Sequence, residues 1–185
     1  MMINYNSGLA AGRVSGLPQG RLYMNEAKTR RRKIRLSFPV TGESAIAEML
    51  DDEAPAVCDY VWGLLPIQSQ AIHGMYSGAE VFQLIDNPRP VEPQNRTALP
   101  LPGELLYFYD AGGNVTSPPR EVGEVCLVYG RGVSLKGPEG APACASLFAR
   151  IPGDWKYDWT EFARACRRCR WEGPQTLRLE AQESD

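Results

Sequence analysis

The apolar residues of this chain come in short runs of period two, cut apart by clusters of glycine and proline. In "KIRLSFPV", Ile34, Leu36, Phe38 and Val40 alternate against Lys33, Arg35 and Ser37. That alternation is the mark of a strand with one buried face. "TGES" reads as a turn and "AIAEML" as the returning strand, so the pair predicts a hairpin. "AEVFQLI", "GELLYFYD", "EVCLVYG" and "ASLFARI" predict further strands, and "QTLRLE" predicts a returning edge strand. In "GELLYFYD", Leu105, Tyr107 and Tyr109 share one face, Leu106 and Phe108 the other. The prolines of "DNPRPVEPQNRTALPLPG" exclude a regular helix there and leave a long loop or a ragged edge.

Helical periodicity is confined to two segments. In "DDEAPAVCDYVWGLLP" three acids and Pro55 suit a helix start. Val57, Tyr60, Val61, Leu64 and Leu65 then form one stripe, and Pro66 ends it. Near Asp158, "DWTE" reads as a capping box, followed by Trp159, Phe162, Ala163, Cys166 and Cys169 on one face. The order β-β-α-β-loop-β-β-β-α-β predicts a mainly β protein, an antiparallel barrel with two covering helices. An open α+β sheet is the alternative.

Charge divides the chain of 185 residues. Residues 1–35 carry a net +7, including the run "KTRRRKIR", and the remainder a net −9. Residues 1–32 read as a disordered basic leader, dispensable for folding, with Met24 a candidate start, and residues 33–180 as the folded domain. An acidic body argues against nucleic-acid binding. No stretch is apolar enough to predict a membrane span, and the first residues lack a secretory layout, so the expectation is a cytoplasmic protein. The five cysteines are then expected as reduced thiols. "CRRC" at 166–169 lies on an apolar helix face far from any histidine, which favours core thiols over a metal site. "GRGVSLKG" lacks phosphate-loop spacing. No metal and no cofactor are expected.

The chain has one histidine, His73, in "HGMYSGAE". Its ordinary pKa suits proton transfer at neutrality. Glu80 would support it, with Tyr76 and Ser77 as hydroxyl donors. The competing reading is a histidine in a polar loop. Tyr107 and Tyr129 suit either a ligand wall or barrel packing. In "YGRG", Arg131 would clamp a carboxylate or sit solvated in a turn.

"LDDEAPAVCDYVWGLLP", "HGMYSGAEVF", "LPGELLYFY", "LVYGRG" and "SLFARI", closed by "FARACRRCRWEG", occur in this order over about residues 33–173. The set resembles a family of uncharacterised bacterial proteins with a cyclophilin-like barrel fold, distantly related to cucumopine synthase. The resemblance implies that fold and two chemistries. Cyclophilins isomerise X–Pro bonds using an arginine in a Phe-His-Arg setting, and cucumopine synthase joins an amino acid to a keto acid. The region "AIHGMYSGAEVFQLI" holds no arginine, which departs from the isomerase pattern; Arg96 or Arg131 would have to converge on the site in space. The expected function is therefore binding and transformation of a small carboxylate-bearing metabolite. His73 and Glu80 would be catalytic, with Tyr76, Ser77, Tyr107, Tyr129 and Arg131 binding the ligand. A non-catalytic ligand-binding barrel and, last, a peptidyl-prolyl isomerase are the alternatives. A homo-oligomer is left open.

Overall fold

The structure, a computed structural model, describes residues 31–112, 120–137 and 140–182. The leader expected over residues 1–32 therefore lies outside it except for Arg31 and Arg32.

Among the described residues, nine strands and two helices form, in chain order. They are β1 (Lys33–Ser37), β2 (Ser44–Met49), α1 (Pro55–Leu64), β3 (Ile67–His73), β4 (Glu80–Leu84), β5 (Arg96–Thr97), β6 (Glu104–Asp110), β7 (Val122–Val128), β8 (Ala145–Arg150), α2 (Thr160–Trp171) and β9 (Gln175–Gln182). The strands run β2-β1-β9-β3-β4-β7-β6-β8, every neighbour antiparallel. β2 then pairs with β8 and closes the ring, which excludes the open sheet. Closure satisfies the edge hydrogen bonds that an open sheet leaves exposed. Short β5 lies outside the ring, on β8, and comes from the proline-rich segment.

Alternation fills the interior. Ile34 and Leu36 of β1, Ala47 and Met49 of β2, Leu105 of β6 and Phe148 of β8 are all fully buried in one cluster. Both helices send apolar faces into it: Val57, Tyr60 and Val61 from α1, Phe162, Ala163, Cys166 and Cys169 from α2. α1 packs against β8, and α2 against β3 and β4. A second, smaller cluster lies on the outer wall. Leu106, Cys126, Val128 and Leu147 point outward there, and Val133 and Leu135 of the following segment cover them.

Several local expectations change. "IQSQAIH" is a strand, β3, that its apolar residues do not reveal, because Gln68, Ser69 and Gln70 interrupt the run. Only Ile67 and Ala71 are buried in it. Gln83 on β4 is buried beside it, and its amide donates to the carbonyls of Ser69 and Leu177. β9 is not an edge strand; it sits between β1 and β3. The "DWTE" capping box does not form. Trp159 occupies the N-cap position without a side-chain cap bond, and the Asp158 carboxylate accepts the Asp154 N–H at 2.6 Å instead. α1 begins at Pro55, so Asp51, Asp52 and Glu53 precede it. The helix ends at Leu64, and Leu64 and Leu65 pack half-buried against the margin of the interior cluster.

The last residues of the basic run belong to the folded body. Arg31 pairs with Glu53 at 2.9 Å, and Arg32 with Asp51 and Asp59, each at 2.9 Å. The Arg32 guanidinium also lies 5.2 Å from the centre of the Trp62 ring. Among the described residues no helix is long and apolar enough to cross a membrane.

Phe148 is 0% exposed on the strand that closes the ring. Phe148→Ala is expected to cost about 3–5 kcal/mol in urea denaturation. Leu64→Ala should cost clearly less, because its side chain is only half-buried. Equal losses at the two positions would contradict this placement of the core.

Candidate functional site

β3 ends at His73 and β4 begins at Glu80, so the polar stretch between them is the lip of a tight connection on the barrel wall. His73 pairs across to Val81, and the Gly74 N–H bonds the Glu80 carbonyl at 3.1 Å. The Glu80 side chain lies over Gly74. A Cβ at that position would meet Glu80 Oε1 at 2.6 Å, so a larger residue there would push the Glu80 side chain out of its place. Ser77 pins the lip to the covering segment. Its carbonyl accepts the Ser134 N–H and its hydroxyl accepts the Lys136 N–H, both at 3.0 Å.

Between lip, wall and covering segment opens a cavity of about 430 Å³, within the usual range for small-molecule sites. Phe82 from β4, Phe108 from β6, and Glu124 and Cys126 from β7 form its floor, with Leu135 and Lys136 opposite. His73, Tyr76, Ser77 and Glu80 line it as well. No arginine is among its described lining residues.

The cavity carries two carboxyl groups in a largely apolar setting. Burial pushes the Glu80 carboxyl up from its ordinary value, against the Ser77 hydroxyl bond, and its Oε2 has no partner among the described residues. Glu124 is pushed to about 7, first by burial and then by the Glu80 charge. Two carboxylates in one poorly solvated space cannot both ionise cheaply. The Cys126 thiol, 3.8 Å from Glu124 Oε2, is pushed well up by burial and by both carboxylates, so it stays protonated.

His73 has different partners from those expected. Its Nδ1–H donates to the Gly74 carbonyl at 2.7 Å, which leaves Nε2 to accept the Tyr129 hydroxyl at 2.8 Å. The carbonyl can only accept, and this assigns the tautomer. Burial holds the ring's pKa down, the Gly74 bond acts the other way, and the Arg170 charge lowers it further. The expected His73–Glu80 pair is thus replaced by a His73–Tyr129 pair, although both acids and His73 line the same space.

The other candidates divide. Tyr129 and Arg131 line a second cavity, against α2. Tyr107 lies in the interior cluster, its ring edge-on to Tyr60 at 5.1 Å and its hydroxyl donating to the Arg89 carbonyl at 2.8 Å. It does not line the outer-wall cavity, but with Tyr109 and Arg96 it lines another beside the proline-rich segment. Arg96 is on β5, away from the outer-wall cavity. Glu124, the most strongly perturbed carboxyl, was not among the candidates. Its one signal in the sequence is a charge inside "VGEVCLV", a run otherwise apolar on both faces. Among the described residues no group of three or more His, Cys, Asp or Glu side chains could hold a metal ion.

The closed eight-stranded antiparallel ring with two covering helices is a cyclophilin-like barrel. The chain belongs to the family described as Protein of unknown function (DUF3830), whose model matches residues 36–181. Its fold is similar to that of McbB, solved in complex with tryptophan, with a TM-score of 0.59 at 18% identity. The match covers 82% of this chain and 45% of that one, so this chain spans less than half the length of McbB. A second similar structure is the hypothetical protein AF2241 from Archaeoglobus fulgidus, with a TM-score of 0.47 at 14% identity, covering 83% of this chain and 96% of that one. No curated protein matches. The family and fold expected from the ordered motifs both hold.

The raised carboxyl predicts a pH signature. Glu124 in the fold lies near 7, above its ordinary 4.5, so the fold favours the protonated form. That contribution is fully present below about 4.5 and is lost as pH rises through about 7. Urea denaturation across this range should show the parent chain losing stability relative to Glu124→Gln. Parallel pH profiles for the two chains would mean that water reaches the carboxyl freely.

Proposed function

We propose that this protein binds a small molecule bearing an amine and a carboxylate in the outer-wall cavity, and that Glu124 exchanges a proton with it. One observation carries the reading: a carboxyl poised near pH 7 shares a cavity with the partnerless Oε2 of Glu80. An ammonium group would satisfy both acids at once. Phe82 and Phe108 would hold the apolar part, and Lys136 of the covering segment would meet the carboxylate. A group with a pKa near the working pH is well matched to general acid–base catalysis. Burial and then the Glu80 charge hold Glu124 high, and His73, whose pKa burial and the Arg170 charge hold down, orients the lip through its bond to Tyr129. The tryptophan bound to McbB belongs to the same ligand class.

A thermal-shift screen of free amino acids and their keto acids tests this. A specific ligand at about 100 times its Kd should add about 2.7 kcal/mol of stability. Glu80→Gln and Glu124→Gln should each weaken that shift, and uptake of deuterium at the ligand's α-carbon from D2O should disappear in Glu124→Gln. Binding without any ligand change would favour a non-catalytic barrel. Binding untouched by either substitution would place the site elsewhere.

No arginine is among the described residues that line the outer-wall cavity. A protease-coupled assay on an X–Pro peptide is therefore expected to show no acceleration. A rate comparable to that of a genuine cyclophilin would overturn this.

A further inference from the structure

The second cavity, about 640 Å³, has the opposite charge. α2 turns Phe162, Ala163 and Cys166 inward, and this period leaves Arg164, Arg167 and Arg170 on its outer side. All three line the cavity, as do Arg131 from the end of β7 and Lys156 from the turn before α2. No Asp or Glu is among its described lining residues. Arg164 is paired with Glu161 at 2.7 Å. No carboxylate among the described residues forms an ion pair with Arg131, Arg167 or Arg170. Arg168, one residue away, turns elsewhere and pairs with Glu43 at 2.9 Å.

The walls are aromatic as well. Half-buried Trp155 and Trp171, which is 71% exposed, stand on two sides of the opening. Each already carries a cation over its ring: Lys156 at 5.5 Å from Trp155 and Arg170 at 5.2 Å from Trp171. This cationic cluster sits on a body that is otherwise acidic.

We infer that this cavity binds a nucleoside phosphate. Guanidinium forks match phosphate oxygens in pairs, and several unpaired cations call for more than one negative charge. A single carboxylate would neutralise only one of them. The indole walls offer stacking surface for a base. Side chains would hold the phosphates here, consistent with the absence of phosphate-loop spacing in the neighbouring glycine-rich segment. The site is distinct from the outer-wall cavity but linked to it. Tyr129 lines the basic cavity and bonds His73, which lines the other.

The test titrates the full chain with ADP at low ionic strength by calorimetry, beside pyrophosphate and adenosine. ADP should bind, pyrophosphate should bind several-fold more weakly, and adenosine should give no heat. His73 is the sole histidine, so its ring-proton NMR signal should move with the same midpoint as the ADP heat. Arg131→Glu with Arg167→Glu should weaken ADP about tenfold or more, about 1.4 kcal/mol. Single Arg167→Gln, at an exposed position, should weaken it less and leave the fold intact. Trp171→Ala should bring ADP down towards pyrophosphate. Glu124→Gln should leave ADP binding unchanged, so failure here and failure of the outer-wall reading are separable. Three results would overturn the inference: no ADP heat, ADP binding unaffected by the double substitution, or tighter binding of a short oligothymidylate than of ADP. The second would place binding on the basic residues 1–30, the third would make the face a nucleic-acid surface.

Discussion

The ring of strands closes through two residue pairs between β2 and β8, Glu48 with Arg150 and Met49 with Ala149. That junction turns a twisted sheet into a barrel, and the rest of the architecture follows from it. With the ring closed, one set of alternating residues faces a common interior. Apolar faces of both helices complete that interior. The other set faces outward, and most of it is polar. The junction is tied down further on β8's other side: Glu104 of β6 is buried and paired with Arg150 at 2.7 Å. Its Oε2 also takes the Leu101 N–H at 2.8 Å.

One part of the outer wall breaks the polar rule. Leu106, Cys126, Val128 and Leu147 are apolar outward, so that wall needs a cover. The segment after Gly130 supplies it, anchored by Ser134, Leu135 and Lys136 to the carbonyls and hydroxyl of Ser77 and Ala98. A cover held at a few backbone bonds leaves space beneath its edge. Glu80 and Glu124 lie in that space, short of water, and their raised pKa values follow from where the cover places them.

The two cavities sit either side of one hydrogen bond, from Tyr129 to His73. One presents acids among phenylalanines, the other arginines among tryptophans. Opposite charges close together but kept in separate spaces polarise the residues between them. Arg170 already helps hold His73 neutral from the basic side. This geometry makes the one histidine of the chain a reporter on both spaces.

Period-two alternation and turn residues made the hairpin of β1 and β2, the strands β4, β6, β7 and β8, and both helices legible in the sequence. Those signals come from neighbours along the chain, where burial repeats with a fixed period. β3 escaped because its interior partner is an amide: Gln83 bonds its backbone, so burial there left no apolar run. β9 read as an edge because pairing partners are distant in sequence. Ring closure puts it between β1 and β3. Among candidate residues, the sequence by itself determined that Tyr76, Ser77 and Glu80 stay close to His73, being joined by a few residues. Only the tertiary structure decided the rest. It brought Glu124 beneath the same cover from a strand more than forty residues away, and it sent Arg131 and the Tyr129 ring to the other cavity. It also set Tyr107 edge-on to Tyr60, away from the outer-wall cavity. Desolvation and charge proximity are properties of space, and no local pattern encodes which side chains will share one.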